Sequence, residues 1–375
     1  MKDVPVLSNA PCSTREDALS FPAGQIQLAF CPQCGHVFNA AFRPEIMIYD
    51  SRYENSLHYS AHFDKYIREL AQQLVANHQL FQKDVIELGC GNGDFLGLLC
   101  QLGGNRGVGF DPSHDPDRLS PLAAENVRVV QDRYNEDYGH LACDLLCSRH
   151  VLEHIPEPHT FLSSIRRAIG NRNTRIFFET PNALYSLRHR GIWDIIYEHV
   201  SYFWSLSLSR LFLRSGFSPQ TVWETYGNQF LCIEALPAAL PLTMPILDND
   251  QQEELQHVAD EARQFAECFR STVRTAKSVL EDAQRTGQRV LLWGAGSKGV
   301  TFLNLFKDVD CLQYAVDINP HKQGKYIAGS GHPVISPKRV KSYNPDIVLV
   351  MNPLYQKEIG AHLSELGVTP RLVAI

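Results

Sequence analysis

The 375-residue chain has no apolar run of 18 residues, no signal-peptide pattern, no low-complexity tract and no repeat of solenoid length. The first two absences speak against a membrane-spanning helix and a secretory leader, so the expectation is a soluble, cytoplasmic protein with no membrane partner. The other two speak against a disordered tail or a repeat array. Base is not in excess either. Lysine and arginine total 35 against 41 acids, a net charge of −6, and the basic residues are dispersed, which argues against a nucleic-acid groove. The ten cysteines are scattered, mostly in apolar segments, as at Cys100, Cys147 and Cys232. That is the usage of buried, reduced thiols and not of a disulfide framework. What remains is a length suited to two or three domains with ample cores.

The stretch that organises the chain is Val85 to Phe95. Val85–Leu88 reads as a buried parallel strand, Gly89, Gly91 and Gly93 as a tight turn, and Phe95, Leu96, Leu98 and Leu99 as the start of a helix. Missing side chains let a ligand approach the backbone, and the helix start offers free N–H groups. The spacing is E-x-G-x-G-x-G with Glu87 on the strand, not the dinucleotide G-x-G-x-x-G. It resembles the first motif of class I S-adenosylmethionine (SAM) methyltransferases. Asp111 ends the next strand, 18 residues past Gly93. An acid there can take both ribose hydroxyls or simply cap a helix. Asp132, after a third strand at Val127–Val130, can meet an adenine amino group or cap a loop.

A fourth strand, Asp144–Ser148, runs into Arg149-His150-Val-Leu-Glu-His154. Ligands collect at the carboxyl ends of parallel strands, so His150 and His154 are candidates for substrate contact and proton transfer. A fifth strand, Arg175–Glu179, precedes Tyr197-Glu198-His199 and Tyr202, set among further aromatics. Histidine titrates nearest working pH, which makes His199 the candidate base; an aromatic-rich structural edge is the alternative. Segments 219–225 and 229–235 read as antiparallel strands that close a seven-stranded sheet.

Upstream, Cys31-Pro-Gln-Cys34 is a knuckle-type turn that can hold part of a structural zinc site, but a second C-x-x-C is missing; only Cys12, 19 residues before, and His36 are near in sequence. The aromatic stretch 49–63, with Tyr53, either closes over a ligand or packs as a connection before a helix over 63–77. Downstream, a Pro-bearing linker (239–245) leads to a long polar helix, about 251–285. Trp293-Gly294-Ala-Gly296-Ser-Lys298-Gly299 then follows a strand, and Asp317 ends the next one. That is a G-x-G-x-x-G suited to NAD, except that Lys298 places a cation where a phosphate can sit.

Taken in order, these motifs resemble the three-domain sugar C-methyltransferases of deoxysugar biosynthesis. The carriers are Cys31–Cys34, Glu87–Phe95, Arg149–Pro156, Tyr197–Phe203, Trp293–Gly299 and Val316–Gly324. The resemblance implies an α/β chain. Residues 1–60 would form a zinc-ribbon-like module, 61–240 a class I methyltransferase domain with a doubly wound seven-stranded sheet, and 241–375 a bridging helix and a Rossmann-like lobe. It implies SAM as cofactor, a structural zinc at Cys31 and Cys34, and a nucleotide-linked keto sugar as substrate. Glu87, Gly89, Gly91, Gly93, Asp111 and Asp132 would hold SAM. His199 would be the base with Glu198 beside it, His154 or Tyr197 would serve the enolate oxygen, and Tyr53, His150, Tyr202 and Lys298 would contact substrate. A monomer or homodimer is expected. The chain departs from the family pattern at the missing cysteines and at Ile196, where a tyrosine is expected. The rival readings are O- or N-methylation of a natural-product scaffold, an NAD-dependent lobe, and a non-catalytic binding subunit.

Overall fold

The computed structural model describes residues 1–47, 52–54, 56–123, 125–239 and 245–375. Part of the aromatic stretch, including Tyr49, and most of the expected linker lie outside the described residues.

Helix α1 (Ala61–Asn77) starts where Ser60 Oγ accepts the Phe63 N–H, and it buries Phe63, Ile67, Leu70 and Leu74 on one face. Strand β1 (Asp84–Leu88) then leads through the glycine turn into α2 (Asp94–Gly103), on which α1 packs. There follow β2 (Arg106–Phe110), β3 (Val127–Val130), β4 (Leu145–Arg149), β5 (Arg175–Pro181), β6 (Phe217–Thr225) and β7 (Phe230–Pro237). They form one sheet in the order β6-β7-β5-β4-β1-β2-β3, parallel except at β7 and β6. This is the expected seven-stranded, doubly wound arrangement. Its central strands are apolar on both sides because both faces are covered. Ile86, Leu88, Leu146 and Phe178 belong to one core, and Val85, Leu145, Cys147 and Phe177 to the other.

Helix α3 (Asn249–Arg285) spans 37 residues, about 55 Å at the usual rise. It opens on a reciprocal cap between Asp248 and Gln251. A second sheet follows, with β8 (Val290–Trp293), helix α4 (Ser297–Leu305), β9 (Leu312–Val316), β10 (Val334–Ile335), β11 (Ile347–Val350) and β12 (Arg371–Ala374). Its order is β10-β9-β8-β11-β12, all parallel.

The N-terminal residues do not stand apart. The hairpin Leu28–Phe30 and Val37–Asn39 pairs with Ser201–Tyr202 from the central domain. Gly35, at its tip, holds φ +73° and lies under the Trp204 ring, whose Nε1 donates to the Gly35 carbonyl at 2.6 Å. Among the described residues no helix is long and apolar enough to cross a membrane.

Candidate active site

Both sheets reverse their strand order at one point, between β1 and β4 and between β8 and β11, and ligands bind in open α/β sheets at such crevices. Here both crevices open into one cavity of about 930 Å³. Gly89–Asn92 line it from one side; Gly294, Gly296 and Ser297–Gly299 line it from the other.

The two halves repeat one device. On the first, Asp111 at the end of β2 accepts the Gly91 N–H through Oδ2 at 2.9 Å and the Ser113 N–H through Oδ1 at 2.8 Å. On the second, Asp317 at the end of β9 accepts the Ala295 N–H through Oδ2 and the Asn319 N–H through Oδ1, both at 2.8 Å. In each case an acid ties its own loop to the glycine turn and presents what remains of its lone pairs to the cavity. Gly91 holds φ +54°, and a Cβ there would meet nothing within 4 Å, so the turn is open on its ligand side. Gly93 caps α2 and does not line the cavity.

Glu87 is buried and its Oε2 has no hydrogen-bond partner. Burial raises its carboxyl to about 8. A buried acid with one oxygen left without a partner, beside an open glycine turn, fits a ligand carrying an ammonium, and SAM has one. Glu87, Gly89, Gly91 and Asp111 therefore suit that cofactor. Asp132 lines the same cavity, exposed, with Tyr138 donating to it at 2.6 Å.

Between the two glycine turns stands a wall of histidines. His150, His154, His199 and Tyr202 all line the cavity, as do Tyr53 and Lys298. Two bonds bring 153–154 against 198–200: the Val200 N–H donates to the Glu153 carbonyl at 2.8 Å, and His154 Nδ1 donates to the Glu198 carbonyl at 3.0 Å. The His154 and His199 rings meet edge to face, 4.9 Å apart. Burial, then the neighbouring His154 and His150, hold His199 well below the usual imidazole range, so it is neutral. Tyr202 spends its hydroxyl on the Ile196 backbone and offers the cavity its ring. Lys298 pairs with Asp194 at 2.9 Å.

Two expected residues face elsewhere. Tyr197 is fully buried against Phe42, and its hydroxyl accepts the Arg43 N–H at 2.9 Å. Glu198 is fully buried too; its Oε1 accepts the Ser8 N–H at 3.0 Å and the Ser8 hydroxyl. Ser8 Oγ in turn lies 3.0 Å from Ser297 Oγ on the second glycine turn. Neighbouring side chains diverge, so His199 enters the cavity while Tyr197 and Glu198 brace its back. Neither lines it: both stand behind the wall and hold the backbone that carries His199.

Among the described residues the cysteine pair is not completed to a structural zinc site: no third ligand joins Cys31 and Cys34. His36 Nε2 is 3.2 Å from Ser201 Oγ, and Cys12 pairs with Tyr326 far along the chain. A closed zinc site takes four ligands.

Several site residues were assigned no role from the sequence. Arg149 bonds Glu179 through Nε at 3.1 Å and Nη2 at 2.9 Å, and lies over the Phe95 ring. Glu179 also receives the Tyr66 hydroxyl and has His150 Nε2 at 2.9 Å, off the hydrogen-bonding line. Burial opposes its charge, yet Arg149 and His150 hold it at about 2. Burial likewise opposes a charge on His150, but Glu153 and Glu179 raise it to about 9. Glu54, also buried, bonds Arg118 on one half of the cavity and Asn319 on the other, the latter at 2.9 Å. These pairings join residues remote in sequence, and no local pattern signals them.

The methyltransferase-domain family matches residues 59–222, which hold the first glycine turn and the histidine wall. The C-methyltransferase C-terminal domain family matches residues 243–369. The chain is a SAM-dependent methyltransferase. This methyltransferase is 26% identical to C-methyltransferase NovU of Streptomyces niveus over 314 residues, 79% of the chain and 72% of NovU. Solved structures overlap it in part. Magnesium protoporphyrin IX methyltransferase (ChlM) of Synechocystis, with bound SAH, is 19% identical, covers 47% of the methyltransferase and 84% of itself, and superposes at a TM-score of 0.35. The 1,6-didemethyltoxoflavin-N1-methyltransferase of Burkholderia thailandensis is 16% identical, with 57% and 100% covered and a TM-score of 0.38.

Proposed function

We propose that the enzyme methylates a carbon of a nucleotide-linked keto sugar, with SAM on the first glycine turn and the nucleotide on the second. One observation carries this reading: two acid-latched glycine turns face each other across a single cavity with a histidine wall between them. A lobe that merely packed would have no need of an open turn, and a Cβ placed on Gly294 or Gly296 would meet no atom within 4 Å. The C-terminal family match and the resemblance to NovU, both of C-methyltransferases, favour carbon as the acceptor.

Carbon is a poor nucleophile until a proton next to a carbonyl is removed. His199, neutral and in the wall, takes that proton. His150, held as a cation, faces the negative charge that develops on the carbonyl oxygen, and His154 lines the same wall. When bound, SAM supplies an electrophilic methyl on a sulfonium that departs as a neutral thioether. Fixing both reactants in one cavity supplies much of the acceleration. Glu54, Ser8 and Asn9 keep the halves in register, since Asn9 Nδ2 also donates to Ser297 Oγ at 2.9 Å.

The test is mass spectrometry after incubation with SAM and a panel of nucleotide-linked keto sugars, followed by carbon NMR. A product heavier by one methylene, with a C–CH3 signal, is expected. An O–CH3 or N–CH3 product, or none across the panel, rejects the reading.

A further inference from the structure

Glu153 shares the histidine wall with His199. It is 1% exposed and lines the cavity, and one of its carboxylate oxygens lies within 4.8 Å of a His199 ring nitrogen. The backbone holds the two at one level, since the Val200 N–H donates to the Glu153 carbonyl at 2.8 Å. Charge in the wall is balanced. Arg149 pairs with Glu179, and His150, between the two acids, stands 2.9 Å from Glu179 and 3.5 Å from Glu153. What Glu153 lacks is a hydrogen bond: among the described residues neither carboxylate oxygen has a partner. Burying an acceptor without a donor is costly, so an acceptor kept this way calls for a donor that the resting site does not supply.

The reaction itself supplies one. His150 is a cation from the start, and its Nδ1 stays off the hydrogen-bonding line to Glu153. His154 donates through Nδ1 to the Glu198 carbonyl. His199 is neutral, and taking the substrate's proton leaves an N–H on each of its ring nitrogens. One of these faces the substrate; the other needs an acceptor. The Glu198 carboxylate, adjacent in sequence, is turned to Ser8. Glu153 is within reach of a turn of the His199 ring, and such bonds are often long until substrate is bound.

We propose that Glu153 is the positioning residue of His199, the carboxylate that accepts one ring N–H and leaves the other nitrogen's lone pair toward the substrate. The same carboxylate offsets the imidazolium charge once the proton has moved. The substrate's C–H bond breaks, its electron pair stays on the sugar as the enolate, and the proton ends on His199. Glu153 keeps its charge throughout. The assignment rests on His199 being the base.

The experiment is proton wash-out in D₂O. The full chain is mixed with SAH and a nucleotide-linked keto sugar, and loss of the sugar's C–H signal is followed by NMR. SAH has no methyl to give, so exchange reports the base alone. Glu153→Gln should slow exchange by about 10²-fold or more, with KM for the sugar and affinity for SAH nearly unchanged. The acid limb of the exchange rate should move down by about one pH unit or more, because an imidazole deprived of a neighbouring carboxylate gives up its proton more readily. His150, which Glu153 also faces, acts as a cation and moves the basic limb only. Glu153→Asp should recover part of the rate. Should Glu153→Gln fail to fold, Glu153→Asp carries the test, since its shorter reach should still slow exchange by about fivefold or more. An unchanged rate in the folded variants, or a lower rate with an unmoved acid limb in Glu153→Gln, overturns the positioning role. His199→Asn separates the two claims. Exchange lost there but normal in Glu153→Gln rejects Glu153 alone, while full exchange in His199→Asn rejects the base and Glu153 with it.

Discussion

Burial, only partly offset by the charge of Arg149, sets the behaviour of Glu87. Its carboxyl, raised to about 8, is protonated at neutral pH before any ligand binds. If it meets the cofactor's ammonium, it must release that proton on binding. The sign follows: below pH 8 the binding-competent carboxylate is the minor form, so affinity rises with pH. Cofactor-product affinity should increase about tenfold from pH 7 to 9, a change of one pKa unit in population. Calorimetry in buffers of different ionisation heat would count the released proton. Glu87→Gln should flatten the profile, and a profile equally steep in that variant would remove Glu87 from the cofactor site. The adjacent pair further along offers a sharper contrast. His199 reaches the cavity and Glu198 braces Ser8. His199→Asn should keep cofactor binding and lose turnover by about 10²-fold or more. Glu198→Gln retains an oxygen for the Ser8 N–H and should keep most of its turnover. Equal losses in the two variants would return Glu198 to the chemistry.

At the scale of elements, the strands were legible because their signal is local. The mainly apolar runs at 85–88, 127–130 and 290–293 and the helical spacing of Ile67, Leu70 and Leu74 declare strand or helix by periodicity. The glycine turns were legible for the same reason. Arg149 and Glu179 were not, because they meet across two strands 30 residues apart, and a period reports a face without reporting what lies on it. The cysteine knuckle was legible only as a turn. C-x-x-C-G describes a tight turn, and the turn is present, with Trp204 on the Gly35 carbonyl, while among the described residues no third ligand joins its cysteines. Gly35 holds φ +73°, and a Cβ there would stand 2.5 Å from the Trp204 ring. Gly35→Ala should therefore cost about 1–3 kcal/mol from backbone strain and the displaced ring, read as a lower urea midpoint at unchanged slope. An unchanged midpoint would mean that the tip does not bear on the fold.

For the molecule as a whole, the decisive contacts are those that hold two sheets around one space. The two halves share an apolar seam, with Trp193 against Phe302 and Phe306, and are bridged at the cavity by polar pairs: Glu54 to Arg118 and Asn319, Ser8 to Ser297, Lys298 to Asp194, and Gln229 to Asn352 at 3.0 Å. The seam holds the lobes together, and the bridges keep the cavity side polar and open to ligands. Glu54 is the bridge with most at stake. Burial would raise its carboxyl, yet Asn319 and Arg118 hold it below the usual range, so it is ionised and touches both halves. Glu54→Ala leaves Arg118 without its partner. Removing one member of a fully buried pair costs about 3–5 kcal/mol, and the quarter of Arg118 that remains exposed lets water recover part of that. A loss of about 1–3 kcal/mol in urea unfolding is expected, with a rise in substrate KM larger than the fall in kcat, because register between the halves is lost before the chemistry is. Loss of kcat alone at unchanged KM would place Glu54 among the reacting groups instead of between the lobes.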